Sequence, residues 1–337
     1  MKLGLGMIMR NEEVDLIKSL NTFLPHVDFA CVLDTGSTDK SMEIAEQILK
    51  LHKKEYVLMK YLDASDSDGK LEDFSKARNK YIDILEASGM DYIVSADADD
   101  IYMSSFGPKE YIEKNPAEIY AFKYWLNQQR FFMSFKLWKT GLGIKYVGRV
   151  HECISFDWKY KIKNSEIEIM HHVEHHEGQE HGTVRNMRIL RNEIYPNLRS
   201  VFYWANENAD AQNYKEAIKW YLEYIRRAKE GEKCWITELH HCYFRAARWL
   251  QHIGDIHLSD VLSHELLCQD DTWAEAWCQL AYNARLRNNI PLMVKYAKKA
   301  LEQKFVSRLF SESDKYDATP KALLKYADTF SKLSIAK

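Results

Sequence analysis

The sequence predicts an α/β unit followed by an all-α helical repeat unit, and three features of it do so. Short apolar runs alternate with helical patterns through the first half. From about Arg185 only helical patterns remain, and there helix pairs recur with small residues at related places. A chain of 337 residues is long enough for about two domains, each burying its own core.

Leu3–Met9 is apolar enough for a buried strand, Glu12–Leu24 has helical spacing, and Phe29–Leu33 reads as a second strand. Ser41–Leu51 is an amphipathic helix, Tyr56–Leu62 a third strand and Ser75–Ala87 a helix. Tyr92–Ser95 is a short strand that runs into Asp97-Ala98-Asp99-Asp100. This rhythm predicts a parallel sheet with right-handed crossovers, which holds its ligands at the carboxyl ends of the strands. The aromatic stretch Tyr120–Trp138 is assigned mostly to core and partly to a ligand cleft.

In the second half, the small-residue helix around Tyr203–Asn206 precedes Asn213–Tyr221. Similar pairs follow at Cys242–Ile253 with Leu258–Leu267, and at Ala276–Leu286 with Pro291–Leu301. Ala205, Ala246 and Ala281 are 41 and 35 residues apart, close to the roughly 34-residue period of tetratricopeptide-like pairs. Trp204, Trp220, Tyr221, Trp249, Trp273 and Trp277 are read as packing residues of these helices. The expected boundaries are 1–184 for the α/β domain, 185–199 for a connecting helix and 200–337 for the repeats.

Composition narrows the function classes. Hydrophobic residues are 46% and charged residues 28%, which excludes a largely disordered chain. No apolar run approaches the roughly 18 residues of a membrane helix. Met1–Met7 is too short for a secretion signal and lacks a small-residue cleavage site. A soluble, cytoplasmic protein is expected. The six cysteines are scattered, with none paired at two-residue spacing, which argues against a zinc ribbon or dithiol centre. Net charge is −2 and implies no strong nonspecific nucleic-acid binding. Residues 1–180 carry 23 Lys+Arg against 30 Asp+Glu, and residues 181–337 carry 24 against 19. That is −7 and +5, which suggests that donor chemistry and partner binding are divided between the halves.

The polar residues that follow strands carry the chemistry. Arg10-Asn11-Glu12-Glu13 follows the first, and Asp34-Thr35-Gly36-Ser37-Thr38-Asp39 closes the second. Thr38 or Asp39 serves as a helix cap, whereas capping does not account for Asp34, a strand-end carboxylate able to accept from a nucleotide's imide or ribose. Asp97, Asp99 and Asp100 crowd three carboxylates into four residues, which is costly unless a cation relieves them. Alternate carboxylates with oxygen-only chemistry suit magnesium or manganese carrying substrate phosphates, and a solvated acidic loop is the alternative.

With Phe74-Ser75-Lys76-Ala77-Arg78-Asn79 and Gly148-Arg149-Val150-His151-Glu152, these stretches resemble the family 2 glycosyltransferases in order and spacing. The resemblance covers about 1–180 and implies a GT-A fold, a nucleotide-diphosphate sugar donor, with UDP-sugar favoured, and Mn²⁺ or Mg²⁺. It implies that Asn11, Glu12, Asp34, Arg78 and Asp97 bind donor: Asp34 at the nucleobase, Arg78 at the diphosphate and Asp97 at the ribose or metal. Asp99 would bind the metal, and Glu152 would act as general base in an inverting displacement, with a salt bridge to Arg149 as its other reading. Family members with appended helical repeats fit the second half.

A histidine-rich run, His171-His172-Val173-Glu174-His175-His176, follows the alternating Ile167-Glu168-Ile169. The resemblance implies that His171 or His172 completes the metal site. Formally His171–His175 also fits an inverted zinc-protease pattern, which requires a helix. A zinc hydrolase and a noncatalytic repeat scaffold with a vestigial transferase domain stay open as other classes. So do the acceptor, whether glycan, peptide, small molecule or modified nucleic acid, and a homodimer through the helices.

Overall fold

The computed structural model describes residues 1–127, 130–172, 182–193, 197–306, 308 and 311–335. The chain divides into two compact units, Met1–His181 and Gly182–Lys337.

The first unit opens with β1 (Leu3–Met9), α1 (Leu16–Phe23), β2 (Phe29–Asp34), α2 (Ser41–Leu51), β3 (Glu55–Lys60), α3 (Phe74–Ala87) and β4 (Tyr92–Asp97). It continues with β5 (Asp100–Tyr102), α4 (Pro108–Lys114), β6 (Ile119–Asn127), β7 (Arg130–Lys139), β8 (Lys145–Val147), β9 (Cys153–Ser155) and β10 (Ile162–His171). Eight strands form one sheet in the order β3-β2-β1-β4-β7-β6-β10-β5, while β8 and β9 pair separately. The parallel sheet expected from the first four strands is present across β3, β2, β1 and β4, and β6 and β10 also pair parallel. Strand β7 runs antiparallel to both β4 and β6, and β5 antiparallel to β10. Two residues separate β6 from β7, too few for a crossover, so that connection is antiparallel by necessity.

β1 is buried on both faces, which is why its sequence is an unbroken apolar run. Leu3, Leu5, Met7 and Met9 pack with Leu16, Leu20 and Phe23 of α1 and Ala45 and Leu49 of α2. Ile8, Cys31 and Leu33 join Ala77, Tyr81, Ile82 and Leu85 of α3 on the other face. Each leucine, isoleucine, methionine or phenylalanine among them contributes about 1.5–3 kcal/mol when fully buried. Gly4 and Gly6 let α3 approach: a Cβ on Gly6 would stand 2.2 Å from the Tyr81 ring, and one on Gly4 2.7 Å from Leu85. In the aromatic stretch, Tyr120, Phe122, Tyr124 and Trp138 are buried and Phe131 and Phe132 exposed.

The second unit comprises α5 (Gly182–Arg191), α6 (Leu198–Asp210), α7 (Tyr214–Lys229), α8 (Ile236–His252), α9 (Ile256–Gln269), α10 (Ala274–Leu286), α11 (Ile290–Leu301) and α12 (Ala318–Ile335). Helices α6 and α7, α8 and α9, and α10 and α11 pack as successive pairs. Ala205, Ala246 and Ala281 are fully buried. Where one connecting helix is expected over 185–199, α5 ends at Arg191 and α6 begins afresh at Leu198, because the Asn197 side chain caps it by accepting from the Ser200 N–H at 2.9 Å. Of the six aromatic packing residues, Tyr221 and Trp273 are buried and the other four half-buried. Among the described residues, no helix is long and apolar enough to cross a membrane.

Candidate active site

The end of β1 is the organising point. Met9 pairs with Asp34 of β2 and Ile8 with Asp97 of β4, so the two aspartates flank the carboxyl end of one central strand. Strands β2 and β3 continue to one side and β4 to the other, which makes this the topological switch point where open α/β sheets bind ligands.

Side chains stitch the loops after β1 and β2 together. The Asn11 N–H donates to Ser37 Oγ at 3.0 Å, Asn11 Oδ1 accepts from the Thr38 N–H at 2.8 Å, and the Glu12 N–H donates to Ser41 Oγ at 2.7 Å. Asn11 sits at φ 56°, in the left-handed region that asparagine tolerates better than most residues. Asp34 is buried; its Oδ1 accepts from the Ser37 N–H at 2.9 Å, while Oδ2 is buried with no hydrogen-bond partner among the described residues. A buried acceptor left this way is stabilised by a ligand's N–H or O–H.

On the other side of β1, Asp97 is held by two cations. Arg78 Nη2 donates to Oδ1 at 2.5 Å and Lys136 Nζ to Oδ2 at 3.1 Å. Burial opposes the charge, but Arg78 and Lys136 outweigh it and hold the Asp97 pKa far below the usual carboxylate range. Arg78 also donates through Nε to Glu152 Oε1 at 2.5 Å. This contact follows from local folding. The Asp73 side chain caps α3 by accepting from the Lys76 N–H at 2.8 Å, and the Phe74 N–H donates to Arg149 O at 2.8 Å. Ser75 Oγ donates to Gly148 O as well. The 148–152 loop is thereby pinned to the start of α3, one turn from Arg78.

Asp100 is fully buried and already satisfied: Oδ1 accepts from the Tyr124 hydroxyl at 2.6 Å, and Oδ2 from the Asp97 N–H at 2.9 Å and Lys136 Nζ at 3.3 Å. Asp99 is only partly buried, with Oδ1 3.4 Å from His171 Nδ1, which lies 3.5 Å from Asp100 Oδ1. Asp99, Asp100 and His171 each offer one ligand atom, all within 4.8 Å of one another. Burial raises the Asp99 pKa; His171 pulls it down, and Asp97 and Asp100 push it up. Burial works against the His171 imidazolium, but Asp100 and Asp99 more than compensate and raise its pKa to about 10. Glu12 is pushed up to about 8, first by burial and then by Asp99, Asp15, Asp97 and Asp39. Carboxylate oxygens with one imidazole are a donor set that fits Mn²⁺ or Mg²⁺.

The structure thus brings Arg78, Asp97 and Glu152 into one network, and Asp99 and His171 into contact. Arg78, the residue expected at a diphosphate, contacts Asp97 and Glu152, and the alternative reading of Glu152 as a salt bridge finds its cation in Arg78 and not in Arg149. His172 turns elsewhere: its Nδ1 lies 3.1 Å from Asp15 Oδ1, and its N–H donates to Asp99 O. His171 closes strand β10, so the helix that a zinc-protease pattern needs does not start there; His175 lies outside the described residues. Lys136 and Tyr124 are the members that sequence reasoning missed. Their only signal is a polar position inside an aromatic, alternating stretch.

No protein-family model and no curated protein matches the chain. Among solved structures, TarS of S. aureus aligns over 93% of this chain and 59% of its own, at 12% identity and a TM-score of 0.41. The Sgt2 TPR domain from Aspergillus fumigatus aligns over 42% of this chain and 84% of its own, at 12% identity and a TM-score of 0.34. A MamA double mutant aligns over 36% and 66%, at 13% identity and 0.31. The chain thus spans just under two thirds of that MamA chain. At these TM-scores the reading of function rests on the site.

Proposed function

We propose that this protein is a family 2-type, inverting glycosyltransferase that uses a nucleotide-diphosphate sugar and a divalent metal. The carrying observation is the arrangement around β1: a buried Asp34 with an unpartnered oxygen on one side, and on the other Asp97 beside the Asp99–Asp100–His171 set. Asp34 accepts from the nucleobase, with Asn11 and Glu12 shaping the loop beside it; UDP is the favoured nucleotide. Asp97, kept ionised by Arg78 and Lys136, accepts from the ribose. Asp99 and His171 hold Mn²⁺ or Mg²⁺, with Asp100 behind them. The ion supplies charge neutralisation for a departing nucleoside diphosphate.

Glu152 takes the acceptor's proton as the acceptor attacks the anomeric carbon, its Oε1 oriented by Arg78. The positively charged second unit is assigned to the acceptor or a partner protein, since stacked helix pairs offer extended surfaces. The test is incubation of the full chain with a panel of nucleotide sugars and Mn²⁺, reading release of nucleoside diphosphate. Slow, Mn²⁺-dependent release from one sugar donor, abolished in Asp99→Asn, is expected. No release from any donor, together with no binding of nucleoside diphosphates, would contradict the reading.

A further inference from the structure

Lys136 is a buried ammonium inside the carboxylate cluster. It donates to Asp97 and Asp100 and stands 4.6 Å from the centroid of the Tyr124 ring. Across the joined side chains, Asp97, Asp99, Asp100 and Glu152 carry four negative charges, and Arg78 and Lys136 two positive ones. Two negative charges remain, the amount that one divalent ion cancels when a neutral His171 imidazole is its ligand.

We propose that Lys136 is a fixed internal cation that matches the Asp99 site to divalent ions and positions Asp97 and Asp100 while doing so, an inference that rests on the metal-assisted reading above. Arg78 contacts Asp97 and Glu152, whereas Lys136, among the described residues, bridges the two aspartates on either side of Asp99. Coulomb attraction scales with the charge of the bound ion. Removing Lys136 must therefore favour a trivalent ion more than a divalent one.

The experiment uses the full chain with Mn²⁺ alone and Tb³⁺ alone as probes, titrated by calorimetry. In Lys136→Met, Tb³⁺ affinity should rise relative to Mn²⁺ affinity by about tenfold. Lys136→Arg should keep the wild-type ratio. The charge-balanced Lys136→Met/Asp97→Asn double variant should restore it, and Asp97→Asn alone should shift it the opposite way. Where Lys136→Met does not fold, Lys136→Gln, which removes the charge and keeps a hydrogen-bond donor for the two aspartates, makes the same measurement. An Asp99-dependent site whose ratio is unmoved by these changes would overturn the role of Lys136 alone. Ion binding that Asp99→Asn leaves intact would overturn the metal reading, and this inference with it.

Discussion

The strand-end carboxylates differ in what already binds them, and that difference assigns their work. Both oxygens of Asp100 already accept, from Tyr124, Lys136 and the Asp97 N–H, whereas Asp34 keeps a buried oxygen with no partner among the described residues. Glu152 is tied to Arg78. Under the proposed mechanism, Glu152→Gln keeps donor affinity, because glutamine can still accept from Arg78, and lowers the transfer rate by about 10²–10⁴-fold, as loss of a general base does. Single-turnover rates beside donor titrations check this, and a rate within about threefold of wild type would place the base elsewhere. Asp34 and Asp97 were legible in the sequence because each ends a strand. Lys136 was not, because its partners Asp97 and Asp100 lie tens of residues earlier in the chain, and only the strand order puts β7 beside β4, the strand that Asp97 closes.

At the scale of elements, periodicity served best where one packing environment acts alone. β1 and α2 lie where the apolar patterns put them, because the strand is buried on both faces and one stripe of the helix meets the core on one of them. The mixed half of the sheet was not legible: alternation marks a strand but says nothing of its direction or its neighbour. The two β1 glycines are an element-level commitment, since they set how near α3 can lie. Gly6→Ala forces a Cβ into the Tyr81 ring, whose hydroxyl is held by Ser95 at 2.8 Å. Overpacking of this kind is expected to lower stability by about 1–3 kcal/mol. Denaturant unfolding measures it, and an unchanged midpoint would show that α3 shifts freely.

At the scale of the molecule, the second unit carries an acid-sensitive group in its interior. In the second unit His241 is buried among Phe202, Phe244 and Trp273. Burial, followed by Arg245, Arg308 and His240, lowers its pKa to about 3. A folded-state value below the unfolded one means that the unfolded chain binds the extra proton. This contribution is therefore fully present above about pH 6.5 and is lost as pH falls toward 3, at roughly 1.4 kcal/mol per pH unit. Thermal unfolding of the second unit should weaken steadily from pH 6.5 to pH 4.5, and His241→Phe should flatten that slope. An identical slope in the variant would assign the acid sensitivity to other groups.

The central claim is that the β1 switch point binds a nucleoside diphosphate through Asp34 on one side and an Asp99-held metal on the other. Calorimetric titration of UDP, GDP and CDP into the full chain, with and without Mn²⁺, tests it most directly. One nucleotide should bind at least about tenfold more tightly with Mn²⁺, a loss of the order that one or two charge-assisted contacts carry. Asp99→Asn should remove the Mn²⁺ dependence, and Asp34→Asn should weaken binding without removing it. Binding that ignores Mn²⁺ and both substitutions, or no binding of any of the three, would contradict the account.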